Sequence, residues 1–206
     1  MNRKKDINFL HIASFLLEIV KILFSTYGKT DAIKLKIRSK DFTLLRPLVV
    51  SLSNIDNVHI SKNVFIHAGM VLRLLGDCQL FIGEDTYIGP NTHISGTQGI
   101  ITIGKKVMIS NNVLVSTATH KYQDVMTPIK DQGYKSKGNI IICDGSWIGV
   151  GSIILAGVKV GKNSVVGANS VVTHDVPSFS VAVGSPARII KQYNPTQKRW
   201  LDKDMQ

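Results

Sequence analysis

Chemistry at neutral pH needs groups that move protons, bind metals or attack carbon, and this chain holds few of them in useful patterns. Its histidines number six: His11, His59, His67, His93, His120 and His174. No two lie within seven residues of each other, so the close ligand pairs that mark many zinc sites are missing. Cys78 and Cys143 are the two cysteines, too few and too scattered for a disulfide framework or a cysteine-based zinc site, and they fit a reducing cytoplasm. No serine or cysteine carries an obvious base for covalent catalysis. There is no dinucleotide fingerprint, no P-loop and no nucleic-acid motif. The one histidine in a distinctive setting is His120, in STATHKYQD, at the start of a long stretch that breaks an otherwise regular pattern. An imidazole ordinarily titrates near pH 6.5 and can exchange a proton at neutral pH. Whether this one does so depends on what surrounds it.

The surrounding pattern has a period of six. Aliphatic residues fall at Ile60, Ile66 and Leu72; Ile82, Ile88 and Ile94; Ile103, Ile109 and Val115; Ile142, Ile148 and Ile154; and Val160, Val166 and Val172. Neither a helix of 3.6 residues per turn nor a flat strand of period 2 requires this. Glycine often follows the aliphatic residue, as at Gly83, Gly104, Gly149 and Gly161, and the residue four places on is small or aliphatic, as at Thr86, Ser146, Ser152 and Ser164. Short strands joined by tight turns, three to a coil, would bury these positions in a triangular prism. The breaks at 72–82, 94–103 and 115–142 each follow the third member of a triplet, so every insertion leaves at the same corner. Five coils at the strand spacing of about 4.8 Å would stand roughly 24 Å tall. A sandwich would instead alternate in twos.

The [ILV]-G-x-x-[STV]-x hexapeptides, the STATHKYQD loop, the SWIGVGSIILAGVKVG run and the ending VAVGSPARII resemble the hexapeptide-repeat acyltransferases. Within that family the likeness is to galactoside and maltose O-acetyltransferases and to capsule or lipopolysaccharide O-acetyltransferases, over about residues 58–193. The resemblance implies an all-β fold, a left-handed parallel β-helix of about five triangular coils, which is an exception to right-handed crossovers. The expected division is an N-terminal helical or irregular segment at 1–47, the β-helix at 48–176 with an extruded loop at about 117–139, and a C-terminal extension with a short helix at 177–206. It further implies a homotrimer with sites between subunits, acetyl-CoA as acyl donor and no metal.

Roles follow from the same resemblance. His120 matches the family's general base, which takes the proton of a sugar hydroxyl as it attacks the thioester. Trp147 matches a tryptophan lining the active site; the alternative is that it covers a coil edge. Gly149 and Gly151 flank the residue whose N–H faces the thioester oxygen. Ala168 lies on the pantetheine slot and Thr173 near the adenine, while Arg188 and Lys191 fall where basic residues meet the phosphates. His174 stands where the family often has lysine beside that threonine. Asn91 lies close to a family asparagine that binds the acceptor, although the register falls nearer Pro90.

The charge is +11, from 25 Lys and Arg against 14 Asp and Glu. This fits anionic partners without choosing among them; no nucleic-acid partner is expected. The N-terminal MNRKKDINFLHIASFLLEIVKILF is apolar but for His11, Ser14, Glu18, Lys21 and Ser25, which trace one thin polar stripe along a helix. Such a helix would dock on the body or a neighbouring subunit, contact a membrane surface with help from Arg3, Lys4 and Lys5, or span a bilayer. Glu18 and Lys21 weigh against the last, at roughly 2.5–3.5 kcal/mol each near the bilayer centre. The expected location is cytoplasmic, with association at the inner membrane face as an option. Together these readings point to acetyl-CoA-dependent O-acetylation of a cell-surface carbohydrate or its precursor. The competing readings are an antibiotic O-acetyltransferase and a non-catalytic β-helix scaffold.

Overall fold

The computed structural model describes residues 43–44 and 49–203. The N-terminal helix expected from the sequence lies outside these residues. The described chain winds as a parallel β-solenoid with three flat sides. The first side stacks Thr43–Leu44, Phe65–Ile66, Tyr87–Ile88, Met108–Ile109, Trp147–Ile148, Val165–Val166 and Ser180–Gly184. The second stacks Val49–Leu52, Val71–Leu74, His93–Gly96, Leu114–Ser116, Ile153–Leu155 and Val171–Val172. The third stacks Val58–Ile60, Gln79–Ile82, Ile100–Ile103, Ile140–Ile142 and Lys159–Val160.

The six-residue register is the stacking register. On the first side Ile66, Ile88, Ile109, Ile148, Val166 and Ala182 sit directly above one another. On the second, Val50, Leu72, Ile94, Val115, Ile154 and Val172 do the same. All of these side chains are buried. Burying an aliphatic side chain contributes about 1.5–3 kcal/mol relative to exposure, so the column interior is the main source of stability.

The small hydroxyl residues complete the interior. Thr86, Ser146, Ser152 and Ser164 donate to the carbonyls of Gly104, Gly161, Gly167 and Pro177 at 2.8, 2.8, 2.8 and 2.6 Å. Each hydroxyl thus ties its own coil to a corner of the next. Glycine is required at that corner because the next coil presses on it: a Cβ on Gly149 would lie 2.7 Å from the backbone N of Ala168.

Two expectations are corrected. The column has about six coils rather than five, because Thr43–Leu44 and Val49–Leu52 add a coil ahead of Ile60 and Ser180–Gly184 adds a strand after Val172. The short C-terminal helix is instead an antiparallel β-hairpin, Ala187–Asn194 with Arg199–Asp202, built onto Ser180–Gly184. Asn194-Pro195 opens a turn, in which the Asn194 Oδ1 accepts the Gln197 N–H at 2.9 Å. Tyr193 and Trp200 then pair edge to face across the strands, 5.7 Å apart. A cross-strand aromatic pair and a turn at Asn-Pro favour strands over a helix.

Every insertion leaves at the corner between the second and third sides. The longest carries the strand Ala118–His120, which pairs antiparallel with Tyr134–Ser136. Its tip is tied by Asp124, whose carboxylate accepts from the Met126 N–H at 2.9 Å and the Thr127 hydroxyl at 2.6 Å. Those bonds, the hydroxyl's first, lower the Asp124 pKa.

Candidate active site

Stacking sets the site out as ladders on the outer surface of the second side. One ladder runs Arg73, Ser95, Ser116, Leu155, with Thr173 following Val172 at its end. The insertion folds back over this surface through Ala118–His120 and divides it into two cavities.

The first cavity, about 200 Å³, is lined by Arg73, Leu75, His93, Ser95, Gly96, Thr97, Ala118, His120 and Tyr134. His120 is exposed at its mouth. Tyr134 stands opposite on the paired strand, the two rings 4.5 Å apart at 35°, so the imidazole is held on one face and free on the other. Ser95 and Ser116 hydroxyls bond at 3.1 Å on the floor. His93 has a buried Nε2 with no hydrogen-bond partner. Burial, and then the charge of Arg73, push its pKa below the usual value, so it is neutral at pH 7.

The second cavity, also about 200 Å³, is lined by Ser116, Ala118, Thr119, Lys137, Leu155, Ala156 and Thr173. Ser116 and Ala118 border both cavities. Two ligands, one in each cavity, would therefore approach each other at Ser116 and Ala118. The Thr173 hydroxyl is 2.8 Å from His174 Nδ1. Lys137 supplies the wall with a cation that the sequence pattern did not single out.

Other expected site residues lie elsewhere in the chain. Trp147 projects from the first side, 45% exposed, with its indole N–H donating to the Ser110 hydroxyl at 3.0 Å. Within one chain it does not join His120. Gly149, Gly151 and Ala168 occupy the corner between the first and second sides. The N–H groups of Gly149 and Gly151 are engaged with the carbonyls of Val166 and Asn111, and Val150 between them is exposed. Arg188 and Lys191 lie on the C-terminal hairpin, Lys191 paired with Asp202 at 3.3 Å. Asn91 sits at a corner with φ of 56°, a conformation that asparagine tolerates well. It does not line the cavity; His93 and Ser95 on the following strand do.

Sequence reasoning missed Arg73, His93, Ser95, Tyr134 and Lys137. The usable signal was positional: Arg73 and Ser95 each follow the third aliphatic residue of a triplet, where side chains of the second side point outward.

Comparison with known proteins agrees with this architecture. Residues 139–174 match the family described as bacterial transferase hexapeptide (six repeats), and residues 79–117 match the hexapeptide repeat of succinyl-transferase. The galactoside O-acetyltransferase of Lactococcus lactis is 31% identical over 146 residues, covering 71% of this chain and 58% of that protein. That of Escherichia coli is 35% identical over 127 residues, covering 59% and 61%. The chain thus spans less than two thirds of the length of these curated relatives. The crystal structure of the polySia-specific acetyltransferase NeuO superposes with a TM-score of 0.61 at 31% identity, covering 80% of this chain and 73% of that one. On the two repeat matches and the likeness to these acetyltransferases, the chain belongs to the hexapeptide-repeat acyltransferase family.

Proposed function

We propose that the protein transfers an acetyl group from acetyl-CoA to a carbohydrate hydroxyl, with His120 as general base. The observation that carries this reading is the pair of cavities that share Ser116 and Ala118, one of them bordered by His120. The similar galactoside O-acetyltransferases and the acetyltransferase NeuO support the reaction class.

In the reaction, the acceptor oxygen attacks the thioester carbon as His120 takes its proton. The new C–O bond forms, the C–S bond breaks, and the proton passes from the imidazolium to the departing thiolate, leaving free coenzyme A. A sugar hydroxyl is a poor nucleophile at pH 7, and a positioned base accelerates such a step by about 10²–10⁴. The second cavity, with Thr173 and Lys137, holds the coenzyme arm; Arg188 and Lys191 are the proposed partners of its phosphates. Val150 offers its N–H toward the thioester oxygen. In a homotrimer the first side of one chain faces the second side of the next, which brings Trp147 to the His120 of its neighbour. The acceptor is a cell-surface glycan or its precursor.

The test is coenzyme A release with acetyl-CoA and a sugar panel, alongside calorimetric binding of coenzyme A. His120→Ala is expected to lose about 10²–10⁴ in turnover while binding coenzyme A as before. Undiminished turnover would reject the assigned base, and no coenzyme A binding would reject the reaction.

A further inference from the structure

The first cavity is lined by cationic and neutral groups. None of its lining residues is a carboxylate, whereas Arg73 reaches it from Val71–Leu74 and His93 from the adjacent strand His93–Gly96. Among the described residues Arg73 has no ion-pair partner; the salt bridges there are Lys105–Glu84 and Lys191–Asp202. His93 Nε2, in the same wall, is buried and unbonded. A buried polar atom left without a partner is destabilising, and a ligand oxygen would relieve it. The space, about 200 Å³, equals on the order of six or seven waters, suited to one sugar ring rather than to a buried chain.

We infer that Arg73 and His93 form an anion-selective subsite for the acceptor, which carries a carboxylate on the sugar ring presented to His120. This rests on the acetyl-transfer reading above. Arginine fits a carboxylate because its planar fork matches two oxygens at once. The unpartnered His93 nitrogen meets a ring hydroxyl or the second carboxylate oxygen, as donor or acceptor according to tautomer. Ser95, next to Arg73 in its ladder, already donates its hydroxyl to Ser116, and the Thr97 hydroxyl in the same wall, buried and unbonded like His93 Nε2, carries no charge, so charge discrimination falls to Arg73. The net charge of +11 favours encounter of the whole chain with an acidic glycan.

The experiment compares glucuronate with glucose, which differ in the carboxylate at one carbon. Binding to the full-length protein is followed by saturation-transfer NMR, and acetyl transfer by coenzyme A release. Glucuronate is expected to bind about tenfold or more tightly than glucose, as charge-assisted hydrogen bonds imply. Arg73→Gln should bring the ratio of the two affinities close to one, and His120→Ala should keep the parent ratio. Equal binding of the two sugars, or an Arg73→Gln variant that retains the preference, overturns the subsite. Acetyl transfer without acid preference overturns the subsite and spares the reaction. Acid-selective, Arg73-dependent binding without transfer upholds the subsite and removes the reaction.

Discussion

The Ser152 hydroxyl donates to the carbonyl of Gly167 at 2.8 Å, linking one coil to the corner of the next. Ser152 is fully buried and Gly167 half-buried, with no room for a Cβ on Gly167, which would meet Val183 of the next coil. The serine position and the glycine position, which look like separate sequence signals, are two ends of one bond.

Removing that hydroxyl leaves a carbonyl with a missing donor. Ser152→Ala should therefore lower stability by about 1–2 kcal/mol, a fall in Tm of roughly 2–8 °C for a chain of this size. Ser152→Thr should restore most of it, since Thr86 and Thr92 make the equivalent bonds to Gly104 and Ser110. Urea denaturation of the three proteins measures this; an alanine variant as stable as the parent would show the bond to be ornamental.

Trp147 and His120 stand on different sides of the column, and the proposed trimer joins them only between chains. Two inactive variants, His120→Ala and Trp147→Ala, should then complement each other. Denatured together and refolded, a mixture forms trimers in which some clefts combine an intact His120 from one chain with an intact Trp147 from its neighbour. Activity should return to about a quarter of the parent level, because each of the two intact groups is drawn with a probability of about one half. A mixture as inactive as its components would place both groups in one chain's site.

The fold was legible wherever side chains answer to a single axis. Ile66 through Val166 repeat because each must fill the same section of the column, and local spacing alone reports that. The added first coil was hidden because the register ahead of Ile60 holds only two aliphatic residues, Leu44 and Val50, with Arg38 where a triplet would begin. The C-terminal hairpin was hidden because its strands are set by a turn and by the Tyr193–Trp200 contact, not by the repeat. The site divides the same way. His120 stands out by family likeness, yet Arg73, His93 and Tyr134 come from a strand, its neighbour and a loop return. Only the stacking of coils brings residues so far apart in sequence into one cavity.

His93 offers a test that depends on no substrate. Burial and the nearby Arg73 lower its pKa from the ordinary 6.5, so the unfolded chain holds that proton more tightly than the folded one. By linkage, the stability tied to neutral His93 is complete above pH 6.5 and declines as the pH falls from there toward the lower folded value. Urea midpoints taken at pH 7.5, 6.5 and 5.5 should fall toward acid in the parent protein. In His93→Gln, which cannot take up the proton, that part of the decline should vanish and the curve should flatten. Asp124 does not confound the comparison, since its lowered pKa keeps it ionised through this range. Identical slopes in the two proteins would mean that His93 is solvated in solution, and the cavity wall would then be wetter and less selective than its geometry indicates.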